Sequence, residues 1–419
     1  MKFSGVQWIG EIPDSWEVKK VKNCFYISKE QAHKKKPTIL SLARSGIKVR
    51  DISNNEGQLA ASYENYNPVQ PGDLLLNPMD LYSGANCNLS EISGVISPAY
   101  VNLRKTVELN PKYFDYYFKI QYWTMAMFSH GKGVSFDNRW TMNAETLLNY
   151  YLPFPSYEIQ NKIVDFINKK SVELGALIDI ENKQIEKLKD YKQVVITEAV
   201  TKGLYKNVLT KDSGVEWIGA IPKTWSINRL KFIASYNDES LKEDTKPETV
   251  INYLDISSVS LENGITNIES FEFKDAPSRA RRITIPGDII VSTVRTYLKA
   301  IASINDSNLI VSTGFCVIRP TSKMNKKFVE FWCKSNKFTE EVSRNSYGIS
   351  YPAINATSLI GFWITMPPIE EQKMIANYLD EKCKEIDALI AIKQKKIDDL
   401  NEYKKSLIYE YVTGKKEVC

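Results

Sequence analysis

The sequence predicts a mixed α/β protein of two tandem halves, in which each half is an α/β module followed by one long helix. Residues 4–22 (SGVQWIGEIPDSWEVKKVK) return as residues 213–231 (SGVEWIGAIPKTWSINRLK), with ten of nineteen positions identical. A long amphipathic pattern also occurs twice, at an offset of 212 residues. A chain of 419 residues exceeds what one hydrophobic core usually supports, so each repeated unit is a domain rather than a solenoid repeat.

The two amphipathic patterns predict long helices at residues 156–203 and 368–419. Pro155 and Pro368 suit the helix starts, and Gly203 suits an end. About 40 residues at ~1.5 Å each give a rod on the order of 60 Å. Apolar residues spaced three and four apart fit a helix-helix seam, so we expect the two rods to form an antiparallel coiled coil. The predicted seam residues are Ile163, Ile167, Leu174, Leu177, Ile185, Leu188 and Val195 in the first helix, and Ile375, Leu379, Ile386, Leu389, Ile397, Leu400 and Leu407 in the second.

The segments between these markers predict two modules that share a fold but differ in surface. PGDLLLN at residues 71–77 and PGDIIVS at residues 286–292 are both turn-then-strand signals, at an offset of 215. The offset therefore grows from 209 to 215 and returns to 212, which places different insertions in the two middles. The predicted boundaries are 1–155 for the first module, 204–228 for a linker with the repeated segment, and 229–367 for the second module.

The composition is that of an ordinary folded protein. Hydrophobic residues make up 43% and charged residues 25%, and no stretch approaches 18 uninterrupted apolar residues, so we expect no membrane span. The first residues lack the apolar core of a signal peptide, and the six cysteines show no CxxC or disulfide-framework spacing. These features predict a cytoplasmic protein. A net charge of +5 permits a polyanionic partner without arguing strongly for one.

Catalytic motifs are not evident. PDSWEVK at residues 13–19 imitates a PD...ExK nuclease signature, but the second copy reads PKTWSIN. NPMD at residues 77–80 lacks the second proline and the aromatic residue of an adenine-methyltransferase NPPY loop. SHGKGVS lacks the glycine and GK[ST] pattern of a P-loop, and the two histidines, His33 and His130, are expected at the surface. We therefore expect a non-enzymatic chain.

The segments SGVEWIGAIP..W, PPIEEQ and AVTKGL, the last just before DSGVEWIG, resemble the specificity subunits of type I restriction-modification systems over essentially the whole chain. The resemblance implies two tandem target-recognition domains alternating with two long helices in a circular pseudo-twofold arrangement. It implies binding to a split sequence in double-stranded DNA and to two methyltransferase subunits, with restriction subunits in the full complex. It also implies no cofactor in this chain, with S-adenosylmethionine and ATP with magnesium on the partner subunits.

Basic clusters in the two modules are the candidate DNA contacts, because sequence reading needs lysine and arginine at phosphates and side chains that reach base edges. A solvated charged face is the alternative interpretation of each cluster. The chain as a whole has one alternative too, a coiled-coil scaffold without DNA specificity, which leaves the two divergent modules unexplained. The candidates are Lys34, Lys35, Lys36, Arg44, Lys48, Arg50, Lys132, Asn138 and Arg139 in the first module, and Arg279, Arg281, Arg282, Arg295, Lys299 and Arg344 in the second.

Overall fold

The computed structural model describes residues 1–32, 37–43, 45–51, 60, 62–79, 81, 87–133, 140–205 and 207–418. The chain divides into two compact units. Unit 1 comprises Met1–Glu181 and Lys395–Cys419, and unit 2 comprises Asn182–Gln394. The mixed α/β class and the two long helices predicted from the sequence are confirmed.

Seven α-helices lie in the described residues, and two of them are far longer than the rest. They are α1 (Pro111–Trp123), α2 (Ala144–Leu148), α3 (Tyr157–Lys202), α4 (Lys326–Lys334), α5 (Asn336–Arg344), α6 (Ala356–Ile360) and α7 (Ile369–Val412). Short 3-10 helices lie at Val21–Asn23, Phe128–His130, Leu230–Phe232, Ile256–Ser258, Phe273–Asp275 and Thr296–Leu298. None of the helices in the described ranges is long and apolar enough to cross a membrane.

Unit 1 is built on a four-stranded antiparallel sheet in the order Phe25–Ile27, Val101–Lys105, Leu74–Leu76, Cys87–Leu89. Helix α1 packs on this sheet, and its aromatic residues form the centre of the unit 1 core. Four two-stranded antiparallel pairs complete the unit. They are Lys2–Phe3 with Glu11–Ile12, Glu17–Lys20 with Tyr151–Phe154, Leu40–Ala43 with Gly46–Val49, and Asn67–Val69 with Gly94–Ile96.

Unit 2 repeats the four-stranded antiparallel sheet of unit 1 and adds another four-stranded sheet. The first sheet runs Ala234–Tyr236, Phe315–Pro320, Ile289–Ser292, Ile301–Ser303, and all its pairs are antiparallel. The second runs Glu269–Glu272, Val250–Leu254, Leu309–Ser312, Ala280–Ile283, and its central pair is parallel. The two-stranded pairs are Thr210–Asp212 with Ala220–Pro222, Ser226–Arg229 with Trp363–Met366, and Val259–Ser260 with Gly264–Ile265.

The repeated SGVxWIG segment forms the same turn in each unit. The Ser4 amide donates to the Gly10 carbonyl at 2.9 Å, and the Ser213 amide donates to the Gly219 carbonyl at 3.2 Å. Each turn leads to a buried tryptophan that lies against the glycine ending a long helix. In unit 2 this is Trp225, which leaves little room for a side chain at residue 203. The repeat is therefore a structural device that closes each unit on a helix end.

The aspartate of each PGD segment takes part in a buried ion pair. The Asp288 carboxylate accepts the Ile285 amide at 2.9 Å, which closes the Pro-Gly turn, and it also accepts Arg319 Nε at 2.9 Å and Nη2 at 3.0 Å. Asp73 and Arg104 form the same pair in unit 1, with Nε 3.0 Å from Oδ1. Hydrogen bonding to Asp288 raises the pKa of Arg319. Each aspartate is buried, so the turn and a neighbouring strand are tied together by charge.

A buried glutamine at the start of each long helix satisfies two backbone groups. Gln372 Oε1 accepts the Asn325 amide at 2.8 Å, and its Nε2 donates to the Pro367 carbonyl at 2.9 Å. Gln160 makes the same two bonds in unit 1, to the Asn110 amide at 2.8 Å and to a proline carbonyl at 2.9 Å. The glutamine of PPIEEQ therefore docks the helix start onto the module that precedes it.

In unit 1, α3 and α7 run antiparallel. The ring centroids of Phe166 and Tyr411 lie 4.5 Å apart, and Lys396 Nζ lies 2.6 Å from Glu181 Oε1. Residues later in α3 therefore contact residues earlier in α7. In unit 2 the same direction holds, because Lys192 Nζ lies 2.7 Å from Asp387 Oδ2.

The predicted seam is wrong at two matching positions. Leu177 is 46% exposed and Leu389 is 48% exposed, so neither belongs to the helix-helix interface. Ile178 and Ile390, both half-buried, occupy the seam instead, because each follows the preceding buried apolar residue by four positions and thus stays on its face. The exposure of Leu177 and Leu389 therefore needs another explanation.

Candidate nucleic-acid interface

The first part of the candidate interface in unit 2 is a strained turn at residues 294–299. Arg295 (φ 48°, ψ 48°) and Lys299 (φ 49°, ψ 44°) both have left-handed backbone conformations, and they flank the single 3-10 turn Thr296–Leu298. For residues other than glycine, this conformation costs roughly 1–2 kcal/mol each. Thr296 holds the turn, because its Oγ1 donates to Ser346 Oγ at 2.8 Å and its amide to the Pro352 carbonyl at 3.3 Å.

The second part is a hairpin at residues 345–353. Tyr347 and Ala353 exchange both backbone hydrogen bonds at 2.9 Å. Gly348 has a φ of +112°, and a Cβ there would lie 3.0 Å from the Tyr351 carbonyl oxygen, so the tight tip requires glycine. Ile349, at the tip, is completely exposed. We call the exposed side chains of the turn and the hairpin the tyrosine ridge: Tyr297, Tyr347, Ile349 and Tyr351.

Two of the predicted DNA contacts adjoin the tyrosine ridge, namely Arg295 through the Tyr351 ring and Arg344 at the end of α5, just before the hairpin. The Arg295 guanidinium lies 4.9 Å from the centroid of the Tyr351 ring, and within the described part of the chain neither Arg295 nor Lys299 has an ion pair. Arg344 Nη1 lies 3.6 Å from a Glu341 carboxylate oxygen, in a solvent-exposed pair. Such pairs contribute little, so the arginine is available to an external anion.

Arg279 belongs to the same edge of unit 2 through its backbone. Its carbonyl accepts the Thr313 amide at 2.8 Å, and the next residue, Gly314, accepts the Thr293 amide at 2.8 Å just before the strained turn. Its side chain is exposed, with Nε 3.8 Å from Asp255. Backbone hydrogen bonds therefore connect the segment of Arg279 to the segment just before Arg295, while Lys299 lines a groove beside α3 and α7.

Arg281 and Arg282 are more restrained. The Arg281 guanidinium lies 4.8 Å from the centroid of the Phe273 ring, and its Nη1 donates to the Ala280 carbonyl at 3.1 Å. Arg282 is half-buried on strand Ala280–Ile283, and burial lowers its pKa. Its Nε has no hydrogen-bond partner among the described residues. Both stay predictions as DNA contacts.

Unit 1 has the same two backbone elements. The Leu81 amide donates to the Trp140 carbonyl at 3.2 Å and the Met142 amide to the Pro78 carbonyl at 2.9 Å. The equivalent bonds in unit 2 join Thr296 to Pro352 and Ile354 to Thr293, at 3.3 and 2.9 Å. The same pair of backbone hydrogen bonds therefore occurs in both units, next to segments whose sequences differ, GKGVSFDNRW and NSYGISYP.

Only some of the first-module candidates lie within the described residues. Lys132 is exposed and bridges to Thr141 at the base of the unit 1 hairpin. Lys48 is exposed on strand Gly46–Val49, and Arg50 follows that strand and is half-buried. Other candidates lie outside the described residues, namely Lys34, Lys35, Lys36, Arg44, Asn138 and Arg139.

Other reactive side chains are buried. Burial raises the pKa of the Cys24 thiol to about 11 and that of Cys316 to about 12. His130 was expected at the surface, but it is half-buried between the rings of Trp8 and Tyr150, and burial lowers its pKa. His33 lies outside the described residues. Where the chain is described, no group of three or more histidine, cysteine, aspartate or glutamate side chains could hold a metal ion.

Comparison with known proteins shows what the chain is similar to. Residues 222–410 match the family described as the type I restriction modification DNA specificity domain. The type I restriction enzyme MjaVIII specificity subunit of Methanocaldococcus jannaschii is 25% identical over 358 residues, which span 83% of this chain and 80% of the relative. Residues 222–410 thus match a type I restriction modification DNA specificity domain, and the chain as a whole is similar to type I specificity subunits.

Solved structures of type I systems share the fold. A chain from a study of complex assembly and conformational transition of the type I R-M system has a TM-score of 0.67 at 16% identity, covering 96% of this chain and 98% of that one. The HsdS subunit of Thermoanaerobacter tengcongensis has a TM-score of 0.50 at 15% identity, covering 99% and 100%. The specificity-subunit fold thus extends over both units, including the half outside the family match.

The tyrosine ridge was not predicted from the sequence. The segment NSYGISY carried a signal, since two tyrosines and an isoleucine around a glycine are too apolar for an ordinary surface turn. The basic-cluster criterion selects only the neighbouring Arg344. Apolar side chains can read DNA as well as positive ones do, and a search for basic clusters alone does not find them.

Proposed function

We propose that this specificity subunit reads a bipartite sequence in double-stranded DNA, with one half-site per unit, and docks two methyltransferase subunits. It contributes recognition and no catalysis. S-adenosylmethionine, and ATP with magnesium, belong to the methyltransferase and restriction subunits of the complex, which acts in the cytoplasm. The observation that carries the proposal is the shared pair of backbone hydrogen bonds at Leu81–Trp140 and Thr296–Pro352, next to which the two units have unrelated sequences.

The frame explains why two different half-sites would be read. The backbone bonds hold equivalent positions in the two units, while the neighbouring sequence decides which groups a ligand would meet. In unit 2 those groups include Arg295 beside Tyr351, with Arg344 and Arg279 on adjoining segments, and cations of this kind are expected to contact phosphates. A scaffold indifferent to DNA would need neither the cations nor the divergence.

The docking part of the proposal rests on the exposed apolar residues of the long helices. Leu177 and Ile180 are exposed on α3 in unit 1, and Leu389 and Ile392 are exposed at the matching positions of α7 in unit 2. Exposed leucine and isoleucine pairs on an otherwise charged helix face favour a protein partner. Because the pair occurs once in each unit, the same partner can bind twice, as two methyltransferase subunits would.

Replacing Leu177 by glutamate is expected to weaken binding of one methyltransferase subunit by about 10- to 100-fold, because leucine burial is lost and a charge would have to be desolvated. Leu389→Glu should affect the other subunit, and the double variant both. Native mass spectrometry of the coexpressed complex gives the subunit count. Asn182→Glu, which adds the same charge at an exposed site of α3, is the matched control and should keep two subunits.

Exchanging residues 23–150 for the matching segment of another specificity subunit is expected to change one half-site of the methylated sequence and leave the other unchanged. The exchange keeps strands Glu17–Lys20 and Tyr151–Phe154, which pair with each other and close the unit. Sequencing of methylated bases in cells with the complete system measures the result. A wild-type system without a bipartite methylated motif would overturn the proposed function, and a change in both half-sites would overturn its modularity.

A further inference from the structure

We propose that the tyrosine ridge reads bases of the half-site bound by unit 2 from the major groove. Ile349 packs against the C5-methyl group of a thymine, and Arg295 donates hydrogen bonds to a guanine. This assignment rests on the proposed function and adds to it the residues that select bases and the chemical groups that they select.

The strained turn points to a role outside the fold. Arg295 and Lys299 both have left-handed backbone conformations, which glycine or asparagine would adopt at lower cost. Neither side chain has an ion pair among the described residues, so no salt bridge there offsets the cost of the backbone strain. Strain of this kind persists where it directs a side chain to a ligand. Here it directs Arg295 toward the Tyr351 ring, whereas Lys299 lines a groove with residues of α3 and α7 such as Lys189 and Asp387.

The hairpin has the dimensions and surface of a groove reader. It is a tight loop closed by the single reciprocal Tyr347–Ala353 pair, and the major groove, about 12 Å wide, admits an α-helix or a two-stranded ribbon and so has room for it. Ile349 at the tip has no contact that would shield it from water. The apolar atom that base edges offer in the major groove is the thymine methyl carbon, so this is the group that the isoleucine would contact.

Arg295 is placed beside the hairpin with its donors free. Its guanidinium lies 4.9 Å from the Tyr351 ring centroid, and stacking of this kind restricts the fork to one plane. A planar fork matches O6 and N7 of guanine. Arg344, at the end of α5, precedes the hairpin, and backbone hydrogen bonds join Arg279 to the segment before Arg295. Positive charge near this surface favours a polyanion over a protein partner.

The Ile349 assignment is tested with the purified complex of the full chain and its methyltransferase subunits, on duplexes carrying the mapped motif. Deoxyuridine replaces each thymidine in turn, which removes only the C5-methyl group. We expect the wild-type complex to bind about fourfold more weakly at one position of the unit 2 half-site, since burial of one methyl group contributes roughly that factor. The Ile349→Ala complex should be weaker on the unmodified duplex and insensitive at that position.

Val250→Ala is the matched control, because Val250 is an exposed apolar residue of unit 2 outside the ridge. It should keep the wild-type deoxyuridine profile. Equal sensitivity of the Ile349→Ala and wild-type complexes at every position would overturn the assignment. So would loss of methyltransferase subunits from the Ile349→Ala complex, because the ridge would then be a protein contact.

The Arg295 assignment is tested by the methylated motif. Arg295→Lys keeps the charge and removes the planar fork, so one G·C position of the unit 2 half-site should become degenerate, with roughly 5- to 150-fold lower discrimination. The other half-site should be unchanged. An unchanged motif in Arg295→Lys overturns this assignment while the proposed function stands. A wild-type complex that produces no motif overturns the proposed function itself, so the two failures are distinct.

Discussion

Replacing Arg319 by leucine is expected to lower the free energy of unfolding of unit 2 by about 3–5 kcal/mol. The Asp288 carboxylate would remain buried without its bidentate partner, and the single amide of Ile285 cannot compensate the charge. For a unit of this size, each kcal/mol shifts the melting temperature by about 2–4 °C, so the unit 2 transition should move down by roughly 6–20 °C. Differential scanning calorimetry of the full chain measures the shift.

Arg279→Leu is the matched control for this change. Its ion pair with Asp255 is longer, at 3.8 Å, and solvent-exposed, so its loss should cost about 0–1 kcal/mol. If both variants melt within 2 °C of the wild type, the buried pair does not hold the turn to the sheet as described. The double variant Asp288→Asn with Arg319→Leu removes both charges and should recover part of the loss, because no carboxylate is then left buried.

Replacing Gln372 by alanine is expected to destabilise unit 2 by about 2–5 kcal/mol. The Asn325 amide and the Pro367 carbonyl would each lose a hydrogen-bond partner in a buried site, at about 1–3 kcal/mol per group. Gln160→Ala should have the same effect on unit 1. Urea titration of the three proteins, followed by tryptophan fluorescence, measures the differences.

Glu370→Ala is the control two residues earlier in α7. The Glu370 side chain is exposed and contacts only Lys373, so its removal should change stability by no more than about 0.5 kcal/mol. A Gln372→Ala protein as stable as the Glu370→Ala protein would mean that the helix start is held by apolar packing alone.

The sequence predicts the duplicated plan well because the plan rests on periodic and local signals. The three-and-four spacing around Ile163 and Ile375 predicts the long helices, and the PGD turns predict buried strands that the structure contains. The mistaken seam assignment of Leu177 has a physical origin. Where leucine and isoleucine are adjacent, composition cannot say which faces the partner helix, and only the register of the antiparallel pair decides.

The candidate site was harder to predict, because it is assembled from distant segments. Arg279, Arg295 and Arg344 were each named from local charge, yet nothing in their spacing shows that they share one edge. Residue propensities do not predict the left-handed backbone at Arg295, because the residue is not a glycine. Tertiary hydrogen bonds from Thr296 impose that conformation, and such bonds cannot be inferred from one sequence.

Unit 1 is built from two segments that lie far apart in the sequence, and this sets the order in which the two units can be completed during synthesis. Its core includes the end of α7, where the Val412 carbonyl accepts the Tyr113 hydroxyl at 2.8 Å and Gly414 lies against Pro13. These residues leave the ribosome only after all of Asn182–Gln394, roughly 10–40 s later at about 5–20 residues per second. The unit that emerges first is therefore finished last, and its nascent core must stay soluble while unit 2 is made.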